Sequence, residues 1–352
     1  MSQITIIGAG VMGSAISWPL TDNHHTIRLV GTHLDQEIID SIKATRLHPK
    51  LQRAVPDEVT AYSYTDIPQA LQGADVLICG VSSFGVEWFG EQVGPYMNPE
   101  VPVLAITKGL FAKENGDLQI LPDHLNDLLP EDKKGKISLN AVAGPCIAQE
   151  LSARRQTCVY FCGRDEMVLN QLRSLFATPY YHVFLSTDFI GAEAGVAMKN
   201  AYAICINFAI GNYEKEGPDG LAHMYNPQAA LFAQSMREMR GLVDLMGGKH
   251  EGLLELSGTG DLYVTVFGGR NSGLGKLLGK NYSYQQALQK LAGQTLEGVE
   301  IMRRVCQALP KLEERGIASR ANFPLLMHLY DVIYHNAEVN IPWEYFFSDI
   351  LI

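Results

Sequence analysis

One charged side chain, Lys199, interrupts an apolar stretch of sixteen residues, 194–209, that reads AGVAMKNAYAICINFA. An ammonium among apolar neighbours loses solvation and shifts toward its neutral form, so such a lysine can trade a proton near neutral pH where a solvated one does not. Glu193, Asn200 and Asn207 recur every seven residues, two helical turns apart, with Lys199 beside that line. The spacing predicts an apolar helix marked by one polar stripe that faces a site. A second cation, Lys108, directly follows the apolar run VPVLAIT, and Gly144-Pro145-Cys146 closes the run ISLNAVA, where a tight turn can expose backbone amides. In the segment SGTGDLYVT, Asp261 and Thr265 stand four apart and share a helix face if the turn at residues 258–260 opens a helix. Arg270 follows two glycines and precedes Asn271, which suits a guanidinium fork gripping a phosphate through two hydrogen bonds. The run Gly293-Gln294-Thr295-Leu296-Glu297-Gly298 is predicted to begin a further helix. Proton transfer beside an anionic ligand is the chemistry these types allow.

A second set of residues points to a dinucleotide. Residues 3–7 run straight into Gly8-Ala9-Gly10-Val11-Met12-Gly13, followed by the helical pattern SAISWPL. Glycines there allow a tight turn and close backbone approach, and the opening helix turn offers free N–H groups to a pyrophosphate. The next strand, residues 26–31, should end at the residue that meets the adenosine ribose, where an acid selects NAD. That position is Thr32, followed by His33, with no carboxylate before Asp35, so the sequence leans slightly toward NADP over NAD. No phosphate loop of the Walker type competes, because Gly275-Lys276 is followed by Leu277.

These side chains need a scaffold, and the apolar pattern supplies one. The runs QITIIG, TIRLVG, ADVLICGV, VPVLAIT, ISLNAVA, TCVYFCG and YHVFL alternate with helical stretches up to about residue 186. Near-continuous apolar strands separated by helices predict an α/β, Rossmann-like, mainly parallel sheet covered on both faces. From residue 188 onward helical periodicity takes over, which predicts an α/β domain at 1–188 and an all-helical domain at 189–352; the glycine turn makes the first the NAD(P)-binding domain, and Lys199, Asp261 and Arg270 make the second the substrate and catalytic one. The chain has 352 residues, 47% of them hydrophobic and 19% charged, enough for two well-packed domains. Its 28 basic residues against 38 acidic ones, net charge -10, argue against nucleic acid or an anionic membrane as partner. No cationic leader precedes the first strand, and the longest apolar stretch is broken by Lys199, Asn200 and Asn207, so neither a secretory signal nor a transmembrane segment is expected. Six cysteines lack any CxxC or zinc spacing, and Cys158 and Cys162 lie roughly 13 Å apart along one strand, so free thiols, no metal and a cytoplasmic location are expected.

Taken together, GAGVMG, ITKGL, AGPCIAQEL, TDFIGAEAGVAMKN, SGTGDLYVT, FGGRN and GQTLEG resemble, in order and over nearly the whole chain, the NAD(P)-dependent glycerol-3-phosphate dehydrogenase family. The resemblance implies that Lys199 is the catalytic lysine, Lys108 a lysine touching both nicotinamide and substrate, and Asp261 the acid beside them. It places Arg270 and Asn271 on the substrate phosphate, and Gly144 and Cys146 on further substrate-binding positions; the polar stripe and the shared helix face add Asn200 and Thr265 as candidates. Val11, Met12, Thr32, Ala148 and Glu297 fall on cofactor-binding positions, which join Gly8, Gly10 and Gly13 of the glycine turn, Lys108 and Arg270 as the candidate cofactor contacts. Three stretches depart from the family pattern: Cys146 stands in place of a hydroxyl residue and is a weaker donor, Val81-Ser82-Ser83 replaces Val-Pro-Ser or Val-Pro-His, and SGLGK follows FGGRN without the usual extra basic residues.

The implied reaction is reversible hydride transfer between NAD(P)H and dihydroxyacetone phosphate, giving sn-glycerol 3-phosphate for phospholipid synthesis. The implied partner is a small phosphorylated molecule, and the family is compatible with a homodimer. Two rival readings share the same motifs: a paralogous dehydrogenase of another phosphorylated polyol or hydroxy substrate, and a non-catalytic dinucleotide sensor.

Overall fold

A computed structural model describes residues 1–216, 224–291 and 296–347. The chain divides into two compact units, residues 1–108 with 120–189, and residues 109–119 with 190–352.

The first unit is built on an eight-stranded sheet: β1 Gln3–Ile7, β2 Thr26–Val30, β3 Val59–Tyr62, β4 Val76–Cys79, β5 Val103–Ala105, β6 Leu139–Ala143, β7 Thr157–Cys162 and β8 Tyr181–Ser186. Their spatial order is β3-β2-β1-β4-β5-β6-β7-β8, and every neighbouring pair is parallel except β6 with β7. All seven apolar runs are therefore strands of one mainly parallel sheet. The pattern missed β3, whose segment VTAY is short and buries only Val59. An edge strand covered on one side needs no continuous apolar run. The chain order reverses between β1 and β4, and ligands of such sheets lie beyond the strand ends at that reversal. Ile4 and Ile6 of β1 pair with Ile27 and Leu29 on one side and with Val76 and Ile78 on the other, all buried.

The second unit centres on helix Phe189–Glu216, whose residues 192–209 are buried nearly throughout. A helix apolar on every face belongs inside a bundle. Around it run helices Tyr225–Met246, Asp261–Val266, Arg270–Gly279, Tyr284–Lys290, Glu297–Glu314 and Pro324–Tyr334. Glycines let the closest neighbour approach: a Cβ at Gly275 would lie 2.2 Å from the Ile204 carbonyl oxygen. Glu238, 1% exposed, takes hydrogen bonds from the backbone N–H groups of Leu325 and Leu326, the Tyr202 hydroxyl and the Gln234 amide. It thereby pins the start of helix Pro324–Tyr334 to the central helix.

One correction to the expected division concerns residues 109–119. They leave the first unit as part of a hairpin, Leu110–Ala112 with Leu118–Ile120, and pack with the second, so that unit is not wholly helical and the boundary is not a single cut at residue 188. Helix Glu297–Glu314 and its end hold the hairpin through Arg304 to the Leu110 carbonyl at 2.8 Å, Lys311 to the Glu114 carbonyl at 2.7 Å and Arg315 to Asp117 at 2.7 Å. The tip needs Gly116, at φ +91°, because a Cβ there would press on Lys311 Cβ at 2.8 Å.

Candidate active site

In the first unit the glycine turn is held by packing at two glycines and left open at the third. A Cβ on Gly8 (φ +112°) would meet the Gly80 carbonyl at 2.6 Å, and one on Gly13 would meet the Gly8 oxygen at 2.1 Å. Around Gly10 nothing lies within 4 Å of a Cβ, so the absence of a side chain there leaves space rather than relieving a contact in the chain. That space opens into a cleft of about 310 Å³ walled by Gly8, Thr32, His33, Asp35, Val81 and Trp88 among others. His33 and Trp88 face each other with ring centroids 5.6 Å apart. An open glycine, the N–H groups of the turn after it and an aromatic wall together suit a dinucleotide.

Thr32 closes β2 as expected, but its hydroxyl is committed. It donates to Asp35 Oδ2 at 2.8 Å, and the same oxygen accepts the backbone N–H of Thr32 at 2.9 Å and of Ala9 at 3.2 Å. The carboxylate that seemed too late in the sequence is thus folded back to the end of β2. An acidic side chain therefore does stand at the rim of the cleft, beside Thr32.

At the ends of the next strands, Lys108 donates to the Gly144 carbonyl at 2.9 Å, and both residues follow adjacent paired strands, β5 and β6. Gly144 adopts φ +112°, Cys146 is half-buried, and buried Ala148 begins the short helix Ala148–Ser152.

In the second unit Lys199 Nζ contacts Asp261 Oδ1, with side chains 13% and 1% exposed. Asp261 follows a π-turn, Leu256–Gly260, in which a Cβ on Gly258 would lie 2.2 Å from the Leu253 oxygen. Single π-turns recur at functional sites because they displace side chains from regular helical positions. The turn does open a helix, Asp261–Val266, and the Thr265 hydroxyl donates to the Asp261 carbonyl at 2.6 Å. Asn200 reaches Glu297 Oε2 at 3.4 Å, and Asn271 Oδ1 accepts the Gly298 N–H at 3.2 Å. Lys199, Asp261, Asn200, Glu297 and Asn271 are therefore linked by contacts within one bundle. Arg270 is exposed at the start of helix Arg270–Gly279, after Gly269 at φ +91°, and Ser272 ties the preceding loop through the Thr265, Val266 and Gly268 carbonyls. Residues 293–295 of the GQTLEG run lie outside the described residues.

The polar stripe is only partly a site surface. Glu193 and Asn207 are wholly buried, and Asn207 donates to the Val266 carbonyl at 3.1 Å, so it joins helices rather than meeting a ligand. All six cysteines are free, with Cys158 half-buried and Cys162 buried in β7. Among the described residues no helix is long and apolar enough to cross a membrane, and no group of three or more His, Cys, Asp or Glu could hold a metal ion.

Asp35, His48 and Trp88 were not singled out by the pattern of residue types. His48 is wholly buried, and its Nε2 lies 3.0 Å from the Ala9 carbonyl oxygen. Burial holds its imidazole below the usual range, in the neutral form. No periodic signal marks such residues, because Asp35 and His48 meet at the Ala9 backbone and Trp88 meets His33 only once the chain is folded.

Residues 3–168 match the family model for the NAD-dependent glycerol-3-phosphate dehydrogenase N-terminus, and residues 188–344 match that for the C-terminus. The chain is 33% identical over 339 residues to an NADP(+)-dependent glycerol-3-phosphate dehydrogenase of Archaeoglobus fulgidus, covering 96% of each. It is 29% identical to a glycerol-3-phosphate dehydrogenase (NAD(P)+) of Bacillus pumilus, over 97% of this chain and 92% of that one. Among solved structures, glycerol-3-phosphate dehydrogenase of Coxiella burnetii gives a TM-score of 0.79 at 24% identity, covering 96% of each chain. That of Plasmodium falciparum gives 0.83 at 20% identity over 100% of this chain and 96% of that one, a shared fold. Two domain models matched in order, and a relative a third identical from end to end, place the chain in the NAD-dependent glycerol-3-phosphate dehydrogenase family.

Proposed function

We propose that the protein interconverts dihydroxyacetone phosphate and sn-glycerol 3-phosphate with NAD or NADP, supplying glycerol phosphate for phospholipid synthesis. The observation that carries the reading is the contact between Lys199, on an otherwise apolar helix, and the buried carboxylate of Asp261. In this reading the first unit is the dinucleotide domain and the second the catalytic one. Gly8, Gly10, Val11, Met12 and Gly13 hold the pyrophosphate, Thr32 meets the ribose, and Lys108, Ala148, Arg270 and Glu297 complete the cofactor contacts. A bound reduced nicotinamide supplies the hydride to the substrate's C2.

As the carbonyl oxygen gains negative charge, Lys199 gives it a proton, and in the oxidative direction takes the proton back. Asp261 orients the ammonium, and the Thr265 hydroxyl steadies the backbone of Asp261. Lys108 adds positive charge for the developing oxyanion, with Gly144 and Cys146 beside it on the substrate. Arg270 and Asn271 hold the phosphate, and Asn200 lines the substrate position next to Lys199. Free thiols throughout support the cytoplasm as the place of action, and a homodimer is the proposed assembly.

The test is steady-state reduction of dihydroxyacetone phosphate with NADH and NADPH in parallel. Lys199→Ala should lower kcat by about 10²- to 10⁴-fold with KM little changed, as loss of a general acid does. Arg270→Ala should instead raise KM for dihydroxyacetone phosphate by about 10- to 100-fold, the cost of one charge-assisted contact. Turnover in neither nucleotide, or unaltered kinetics in Lys199→Ala, would overturn the reading.

A further inference from the structure

The glycine turn is gripped from two sides at Ala9. Its N–H donates to Asp35 Oδ2 at 3.2 Å, and its carbonyl oxygen lies 3.0 Å from His48 Nε2 and accepts the Ser14 hydroxyl at 3.2 Å. These partners come from separate elements. Asp35 immediately precedes helix Gln36–Thr45, and His48 sits in a small antiparallel hairpin, Leu47–His48 with Arg53–Ala54. Within that hairpin His48 Nδ1 accepts the backbone N–H of Lys50 at 3.2 Å and of Leu51 at 3.1 Å. A nitrogen that accepts two N–H groups carries no hydrogen, so the proton is on Nε2 and is donated to the Ala9 oxygen.

A trans peptide holds its C=O and N–H pointing in opposite directions. Fixing the Ala9 oxygen therefore fixes where the Gly10 N–H points. Fixing the Ala9 N–H in turn fixes the Gly8 carbonyl, which packs against Gly13. We infer that His48 and Asp35 are positioning residues for the dinucleotide: a two-sided clamp on Ala9 that aims the amides of the glycine turn at the pyrophosphate. The inference rests on the dinucleotide reading of the cleft. It explains why a polar side chain in a short surface hairpin is completely buried, with both ring nitrogens engaged by backbone.

The clamp makes a demand on geometry that a merely structural histidine would not. Asparagine at position 48 keeps an acceptor where Nδ1 stands, and so keeps the hairpin bonds, but falls short of Ala9. Glutamine keeps a donor where Nε2 stands. The experiment is fluorescence titration of NADH and of NADPH against the full chain without substrate, with amide hydrogen exchange over residues 8–13. His48→Asn should weaken binding at least about tenfold and speed exchange, while kcat at saturating nucleotide stays within about threefold. His48→Gln should bind within about threefold of the unaltered protein, and Asp35→Ala should weaken the binding of NADH, which carries no ribose phosphate for the carboxylate to repel, as His48→Asn does.

Equal affinities for His48→Asn, His48→Gln and the unaltered protein, with nucleotide bound by all three, would overturn the clamp and leave the dinucleotide reading standing. Should the unaltered protein bind neither nucleotide, both fall. If His48→Asn does not fold, Asp35→Ala with NADH decides, because it removes the other side of the grip from a different element.

Discussion

Asp35 does two things with one carboxylate. It closes a short network with Thr32 and Ala9, and it leaves a negative charge on the wall of the cleft. Among the described residues that line the wall there is no lysine or arginine. A nucleotide bearing a phosphate on its adenosine ribose would therefore meet repulsion that its unphosphorylated counterpart does not. Asp35→Asn retains an oxygen for the Thr32 and Ala9 N–H groups while deleting the charge. The ratio of kcat/KM for NADPH to that for NADH should rise by about 3- to 30-fold, on the scale of one unscreened charge at a partly exposed site. Initial rates with both nucleotides give the answer, and an unchanged ratio removes Asp35 from nucleotide selection. Sequence alone announced Gly8, Gly10 and Gly13, because glycine spacing is local, and Lys199, because a lone charge in an apolar run is conspicuous. Asp35 and His48 stayed hidden, since the partner they share, the backbone of Ala9, is brought close only by folding.

Among the elements, the seven strands betrayed themselves through unbroken apolar runs, which two-sided burial requires. The edge strand β3, the hairpin at Leu110–Ala112 and the π-turn before Asp261 did not, because each is short and its shape comes from what packs on it. The joint between helices Tyr225–Met246 and Pro324–Tyr334 was equally silent. Glu238 there titrates far from a solvated carboxyl: burial pushes it up to about 7, against the pull of Gln234, Leu325, Leu326 and Tyr202. A folded-state pKa above the unfolded one means that the joint contributes most stability below about pH 4.5 and loses it as pH rises through about 7. The span corresponds to something on the order of 3 kcal/mol. Glu238→Gln takes away that ionisation. The difference in Tm between it and the unaltered protein should change steadily across that interval and flatten above it, measured by thermal melts from pH 5 to 8.5. A difference independent of pH would show that Glu238 stays ionised throughout.

For the molecule as a whole, the unit boundary is crossed by residues 109–119, held to helix Glu297–Glu314 by Arg304 and Lys311 and, just beyond its end, by Arg315. A fragment ending at residue 188 would carry this hairpin without its partners, leaving the buried Leu110 uncovered. Expressed alone, that fragment should self-associate, whereas the same fragment with residues 109–119 replaced by a short Gly-Ser linker should elute as a monomer, as size-exclusion chromatography with light scattering would report. Equal behaviour of the two fragments would show that the uncovered hairpin does not drive association. Arg304 and Leu110 stand 194 positions apart. At about 5–20 residues per second, a ribosome makes the hairpin roughly 10–40 seconds before the helix that receives it. During that interval the early half can be complete while its outlying finger waits, so a chaperone or protease surveying nascent chains would meet this strip of backbone first.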